Sequence, residues 1–528
     1  MEMEMDMRLD NPSAEHAEHR LIGFHVWLSA VCLLLFWALW SYLSNPLRKY
    51  PGPFLAKWTN LWRLYHISQG NFHVVLERLH RRYGPVVRIG PNVLDLDSPE
   101  VTKTVFNTKG DWKKTDYYHA SSIMVEGLNV YNLFSQTDPK KHAQEKKPIA
   151  RYYTLNSILT LEPHMDKVLN QLCHQLETRF INTKPRSQIC NLGDWILYYT
   201  WDVVGAVTFT QPLGYLDRGS DWDGTLRASE LAMDYFSAVG CIPLLDKFMA
   251  KNPYFKVTLP GFDNIPKLSV ERMTARFQGT DYGVHDPTHP DFLDMFVEAK
   301  KTNLIDTVSN EQIVAWLMIN LMAGADTTAI TIRSAIYFCL KHPAVWNRLR
   351  AELAAAGIRK SSCPVQYRSC RHVAYLDAVV REALRMLPGV SLPLERYVPP
   401  GGFQLADGRF IPEGATIGIN PYIIARNASV WGPDADQFRP ERWLRDGAET
   451  EGAFRSRLQT MNDADLSFGG GSRVCIGKNL ALVQVYKVVA TMATLYDIEL
   501  AEPKKDWTVT NSWFPRQKGL DVHISRRL

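Results

Sequence analysis

The chain carries little net charge, no paired cysteines and no spacer segments, and each of these absences narrows what it can be. Its 60 Lys and Arg against 55 Asp and Glu leave only +5 over 528 residues, which excludes a nucleic-acid partner unless the basic residues gather on one face. The eight cysteines, at 32, 173, 190, 241, 339, 363, 370 and 475, form no C-x-x-C pair. Neither a zinc ribbon nor a disulfide framework is suggested, and a reducing compartment fits. No Ser/Gly-rich spacer, low-complexity run or repeat period follows residue 54, so one large domain is the simplest parse. What is present, 46% hydrophobic residues including 15 tryptophans beside 22% charged ones, can bury a large core and excludes disorder.

The N-terminus carries the clearest targeting feature. Leu21 to Leu43 is mainly apolar, and roughly 20 such residues span a bilayer. The preceding tail, with Glu2, Glu4, Asp6 and Asp10, lacks the basic start of a cleaved signal peptide. Arg48, Lys49, Lys57 and Arg63 follow the span, so the positive-inside rule places the bulk of the chain in the cytosol. The expected organisation is a short lumenal tail over 1–20, a single transmembrane anchor over 21–43, a hinge over 44–53 and a catalytic domain over 54–528. Tyr50-Pro51-Gly52-Pro53 stiffens the hinge. The formal glycosylation sequon Asn427-Ala428-Ser429 then falls on the cytosolic side and is a coincidence.

Helical periodicity dominates the rest, predicting a mainly α fold with a minor β portion. Short strands are expected at Val86 to Ile89, Val93 to Leu96, Phe410 to Ile411 and Thr416 to Ile419. Ser309 and Gln312 form a capping-box pattern, and no proline follows until Pro343. That predicts a helix ~50 Å long. Its apolar middle has the length of a second membrane span, but Asn320, Asp326, Thr327, Thr328 and Thr331 would be costly in lipid and favour a buried central helix.

Three motifs carry chemistry. Phe468-Gly469-Gly470-Gly471-Ser472-Arg473-Val474-Cys475-Ile476-Gly477 precedes a helix-favouring run from Lys478. Glycines allow the backbone close to a flat cofactor, and a cysteine at a helix N-terminus is expected to have a lowered thiol pKa. In Ala323-Gly324-Ala325-Asp326-Thr327-Thr328, glycine and β-branched residues favour a locally opened helix. Freed carbonyls and Thr327 could then hold water while Asp326 supplies protons. Glu382 and Arg385 stand three apart among apolar neighbours, and Arg442 follows in Phe438-Arg439-Pro440-Glu441-Arg442-Trp443. A buried Glu382–Arg385–Arg442 network would be structural.

In this order and spacing the motifs resemble the cytochrome P-450 superfamily, and Leu394-Glu395-Arg396-Tyr397-Val398-Pro399-Pro400-Gly401-Gly402 is most similar to fungal microsomal members related to pisatin demethylase. The resemblance implies haem b with Cys475 as axial thiolate, Phe468 and Arg473 in the cysteine loop beside it, and Arg396 on a propionate. Asp326 and Thr327 would activate O2. His142 and Lys146 match the family's propionate-facing Trp/His-x-x-x-Arg pattern, with lysine where arginine is usual; Lys147 could share that role. Implied partners are an NADPH-cytochrome reductase, docking near Lys140, Lys141 and Lys478, and a lipophilic small molecule. Substrate-contacting segments would be Trp112 to Phe134, Tyr235 to Leu245, Leu321 and Ala325 on the long helix, Val390 to Leu394 and Ser512-Trp513-Phe514. Hydroxylation or oxidative demethylation in fungal secondary metabolism, at the endoplasmic reticulum membrane, follows from the resemblance. A haem-thiolate isomerase or dehydratase and a non-catalytic membrane haem protein are the alternatives.

Overall fold

The computed structural model describes residues 12–125, 128–182, 188–252, 264–281, 284–302 and 308–527; the acidic residues before Pro12 lie outside them. Helix α1 (Pro12–Ser44) stands apart from the rest, with Phe24, Trp27, Leu33, Phe36, Trp37 and Trp40 all exposed. The segment after it is no free linker. Leu47 and Tyr50 are buried, Pro51 accepts a hydrogen bond from the Arg88 amide at 2.7 Å, and a Cβ at Gly52 would lie 2.1 Å from the Arg88 carbonyl oxygen. Glycine is therefore required there, and the hinge is a rigid mount on the sheet.

That sheet contains strands β1 (Val86–Gly90), β2 (Val93–Leu96), β3 (Arg396–Tyr397) and β4 (Thr416–Gly418), in the order β1-β2-β4-β3. β2 runs parallel to β4, pairing Val93 with Thr416, and β4 is antiparallel to β3. β1 and β2 are buried throughout. Near the C-terminus the chain adds β5 (Tyr496–Leu500), a hairpin of β6 (Thr508–Ser512) and β7 (Phe514–Lys518), and β8 (Asp521–Arg526). The sequence reading missed these strands, although Tyr496, Ile498 and Leu500 alternate with polar residues and turn inward.

The helical body is built on α2 (Pro139–Lys146), α3 (Leu192–Phe209), α4 (Thr225–Val239), α5 (Asn310–Lys341), α6 (Ala374–Met386) and α7 (Lys478–Leu495). Ser309 starts α5 by accepting the Gln312 amide at 3.2 Å, and the helix ends before Pro343. α5 packs against α3, α6 and α7, which explains why it is apolar on several faces. Among the described residues it alone is long and apolar enough to cross a membrane, yet 56% of its apolar window is buried in the domain. It is a central helix. Gly324 lets α3 approach it, since a Cβ there would meet Val204 at 3.0 Å.

The expected opening of α5 does not occur. The helix is continuous through Ala323–Thr328, and the Thr327 hydroxyl donates to the Ala323 carbonyl at 2.9 Å. Bonding back to the preceding turn satisfies the hydroxyl without releasing a backbone group.

Candidate active site

Two cavities stand out, of ≈ 300 and ≈ 150 Å³, and the larger lies where the motifs converge. One wall is α5, through Ala323, Gly324, Thr327 and Thr328; another is the cysteine loop from Phe468 to Gly477. The Cys475 thiol is open to this space. The loop is closed by hydrogen bonds from the Cys475 amide to the Phe468 carbonyl (2.9 Å) and from the Ser472 amide to the Asn107 carbonyl (3.1 Å). At position 471 this packing requires glycine. Gly471 has φ +60°, and a Cβ there would fall 2.3 Å from the Asn107 carbonyl oxygen.

The thiol differs from expectation. Burial raises its pKa, and the Gly477 and Lys478 amides with the Lys146 and Lys478 ammonium groups only partly oppose that. The helix N-terminus is in place, but desolvation of a thiolate outweighs it. A bound cation, which favours the deprotonated ligand, is what would reverse the balance.

Asp326 also departs from the reading of the sequence, because its carboxylate is not part of the cavity wall. Oδ1 accepts from the Trp201 indole on α3 at 2.9 Å and Oδ2 from the Ser229 hydroxyl on α4 at 2.8 Å. Burial raises its pKa against these bonds and the charge of Arg333. On an unbroken helix successive residues point ~100° apart, so Thr327 faces the cavity and Asp326 faces behind it.

The Glu382–Arg385–Arg442 network is present and buried. Glu382 accepts Arg385 Nη2 at 2.8 Å and Nε at 2.9 Å, the Trp443 indole at 2.9 Å, the Arg439 amide at 2.9 Å and Arg442 Nε at 3.4 Å. Arg385 also donates to the carbonyls of Ala425, Ala435 and Gln437, and Arg442 pairs with Asp434 at 2.9 Å.

The polar end of the cavity is cationic. Arg396, Arg473, Lys146 and Lys114 border it with His142, and among the described residues no Asp or Glu does. None of the four cations is ion-paired among the described residues. Arg473 Nη1 donates to the Gln136 carbonyl at 2.7 Å, Arg396 Nη1 to the Glu395 carbonyl at 2.8 Å, and Lys146 Nζ to the Ser472 carbonyl at 3.4 Å. Burial and the nearby Arg396 bring Arg473 down to about 10. Burial and then Arg473, Lys114 and Lys146 bring His142 down to about 3. Lys147 is exposed and does not border the cavity. Sequence reasoning missed Lys114 as part of this wall, because it sits in a segment assigned to substrate contact. Its isolated backbone bridge to Arg396 is a long-range pairing without a local signal.

The cytochrome P450 family model matches residues 51–521. The chain is 42% identical to the cytochrome P450 monooxygenase cfoH of Aspergillus candidus over 97% of this chain and 94% of that protein. It is 33% identical to the cytochrome P450 monooxygenase cicH of Emericella nidulans (90% and 93% covered) and 32% identical to vrtE of Penicillium aethiopicum (95% and 94%). The chain belongs to the cytochrome P450 family. It is thus a haem-thiolate monooxygenase, using O2 and electrons from a redox partner, rather than an isomerase, a dehydratase or a non-catalytic haem protein. The cavity fits that cofactor: an accessible thiol, a largely apolar interior and a cationic end suit an apolar ring bearing two carboxylates.

Proposed function

We propose that Cys475 would hold the haem iron as its thiolate ligand, that Arg396, Arg473, Lys146 and His142 would hold the propionates, and that Phe468 would line the site beside the cysteine. The observation that carries this is one open thiol in a cavity bordered by Arg396, Arg473, Lys146 and Lys114, with no ion pair to any of them and no carboxylate in the wall among the described residues. When bound, the haem supplies the redox iron at which oxygen chemistry takes place. Thr327 stands at the cavity face of α5, placed to hold a water by its hydroxyl. Asp326, whose pKa burial raises against the bonds from Trp201 and Ser229, would serve as proton donor only by turning away from those two partners. Glu382, Arg385 and Arg442 have a structural role.

The substrate is a lipophilic small molecule. Leu133, Phe134, Met233, Val390, Trp513 and Phe514 line the rest of the cavity, and apolar walls select apolar ligands. Trp513 is buried at the tip of the β6–β7 hairpin with φ +73°, its ring packed on Phe134 and Phe236. A residue held so far from its preferred backbone region is a reasonable specificity determinant. Hydroxylation or oxidative demethylation of a fungal secondary metabolite, with an NADPH-cytochrome reductase as electron donor, is the reaction we assign. The uncovered helix α1 supports a single-pass endoplasmic reticulum anchor with the domain in the cytosol.

The test has two parts. In the full chain, Cys475→Ala should abolish the thiolate-type Soret band of the reduced carbon-monoxide complex; a retained band would overturn the ligand assignment. Metabolites of host cells with and without the chain and its reductase should then differ by an oxidised product, and identical profiles would count against the proposed reaction.

A further inference from the structure

Arg88 carries a guanidinium buried where α1 leaves the domain, and among the described residues no carboxylate is within ion-pair reach of it. It stands in β1 at 0% exposure. Nε donates to the Gly90 carbonyl at 3.2 Å, and Nη2 to the carbonyls of Pro91 and Lys57 at 2.7 and 3.3 Å. Nη1 is buried with no acceptor among the described residues, and so is the indole Nε1 of Trp58. Donors kept from water without an acceptor are costly, a charged one most of all. Tyr42, in the last turn of α1, is the neighbour these two share. Its ring stacks on that of Trp58 at 5.4 Å and 22°, and it opposes the lowering of the Arg88 pKa by burial. Asn45, just past that turn, donates to the same Pro91 carbonyl as Arg88, at 3.0 Å. The end of α1, the hinge and β1 thus converge on two donors that lack an acceptor.

The surroundings indicate the chemistry of what would join them. Between Glu18 and Glu77 the sequence holds no Asp or Glu, while Arg48, Lys49 and Lys57 fall inside that stretch. The local chain supplies no anion, and a basic segment beside a membrane span attracts anionic head groups. Phe54, whose ring lies 6.1 Å from that of Trp58, is 72% exposed, and Trp37 and Trp40 of α1 are exposed as well. A phosphate carried on apolar chains suits both the donors and the bare apolar surface. We propose that Arg88 and Trp58 form the phosphate site of one bound membrane phospholipid, whose acyl chains lie along α1 and Phe54, with the Tyr42 ring turning aside to admit the head group. This rests on reading α1 as a membrane anchor and goes beyond it: a lipid would join the anchor to the rigid mount on the sheet.

The test takes full-length holoenzyme from vesicles of dioleoylphosphatidylglycerol mixed with a dioleoyl galactolipid, which has no phosphate, into dodecyl maltoside. Lipids that stay bound are counted by native mass spectrometry. Wild type should keep one phosphatidylglycerol per chain and no galactolipid. Trp58→Phe keeps a ring against Tyr42 and loses only the donor. It should hold the lipid about ten-fold more weakly, the size of one hydrogen bond to a charged group, with an unchanged thiolate-type band. Arg88→Met should keep none. Equal retention by wild type and either variant would overturn the proposal, and so would equal retention of the galactolipid, since the acyl chains alone would then account for binding. Release of the lipid by inorganic phosphate would overturn it by making the site one for a free anion. A wild-type chain that floats with the vesicles yet keeps no phospholipid would also overturn it, the two donors then being met by water. A wild-type chain that does not float with them would remove the anchor reading itself and this proposal with it.

Discussion

The charges around Glu382 and those around Lys114 are both buried in the same domain, but they are balanced differently. Glu382, Arg385 and Arg442 are 0%, 2% and 3% exposed, and every oxygen of Glu382 is met by donors from its own chain. Lys114 and Arg396 are 8% and 4% exposed and are met only by carbonyls, a hydroxyl and aromatic faces. A charge set that closes on itself serves as scaffold, because it is complete before any ligand arrives. One left open is available to a ligand. The contrast separates charges that are closed within the fold from charges that are left open at the cavity, although all are buried and basic or acidic.

The largest effect should come from breaking the closed set. Glu382→Ala would leave two buried guanidinium groups without their shared carboxylate, at a cost of about 3–5 kcal/mol. That is a large part of a domain's stability. We expect little soluble holoenzyme, with loss of both the thiolate-type spectrum and resistance to trypsin. A variant that folds and binds haem normally would show that Asp434 and the carbonyls suffice.

Opening the comparison from the other side should give a smaller and more selective effect. Arg396→Leu removes one of four like charges from a wall with no acid among the described residues, so the haem-free chain should unfold at the same or slightly higher denaturant concentration. Haem transfer to apomyoglobin should be on the order of ten-fold or more faster. Equal destabilisation of the haem-free and haem-bound forms would place Arg396 with the scaffold.

The local motifs were legible because their residues are close in sequence. The Ser309 cap, the i, i+3 pair of Glu382 and Arg385 and the cysteine loop each need only a few neighbours to be read. What was not legible depends on pairing across the chain. Trp201 and Ser229 hold Asp326 from 125 and 97 residues away, and Lys114 meets Arg396 through an isolated bridge. The orientation of Asp326 was accessible in principle: adjacent helical residues diverge by ~100°, so Asp326 and Thr327 share a face only if the helix opens. The threonine hydroxyl bonding back to Ala323 removes that need.

A pH effect sharpens the same contrast. Burial, and then the cationic wall, holds His142 at about 3, below its unfolded value of ~6.5. The unfolded chain therefore takes up the proton first, and stability is lost as pH falls from ~6.5 toward about 3. His142→Leu should reduce the drop in the haem-free chain's denaturation midpoint between pH 7 and pH 5. An unchanged drop would mean that other groups, such as the buried His73 at about 4, carry the acid sensitivity.

The smallest effect is expected at the position where this chain departs from the family's arginine. Lys146 reaches only the Ser472 carbonyl, at 3.4 Å, and burial lowers its pKa although Cys475 opposes the shift. Lysine offers a point charge where arginine offers a planar fork matched to a carboxylate. Lys146→Arg should therefore slow haem transfer to apomyoglobin by a factor of about two or three, less than a full charge-assisted bond, because Lys114, Arg396 and Arg473 also border the cationic end of the cavity. Lys147→Ala, at an exposed site off the cavity, should leave the rate unchanged. If Lys146→Arg has no effect while Lys147→Ala speeds transfer, the side chain facing the cavity is not the one that holds the cofactor, and the open wall must be redrawn without Lys146.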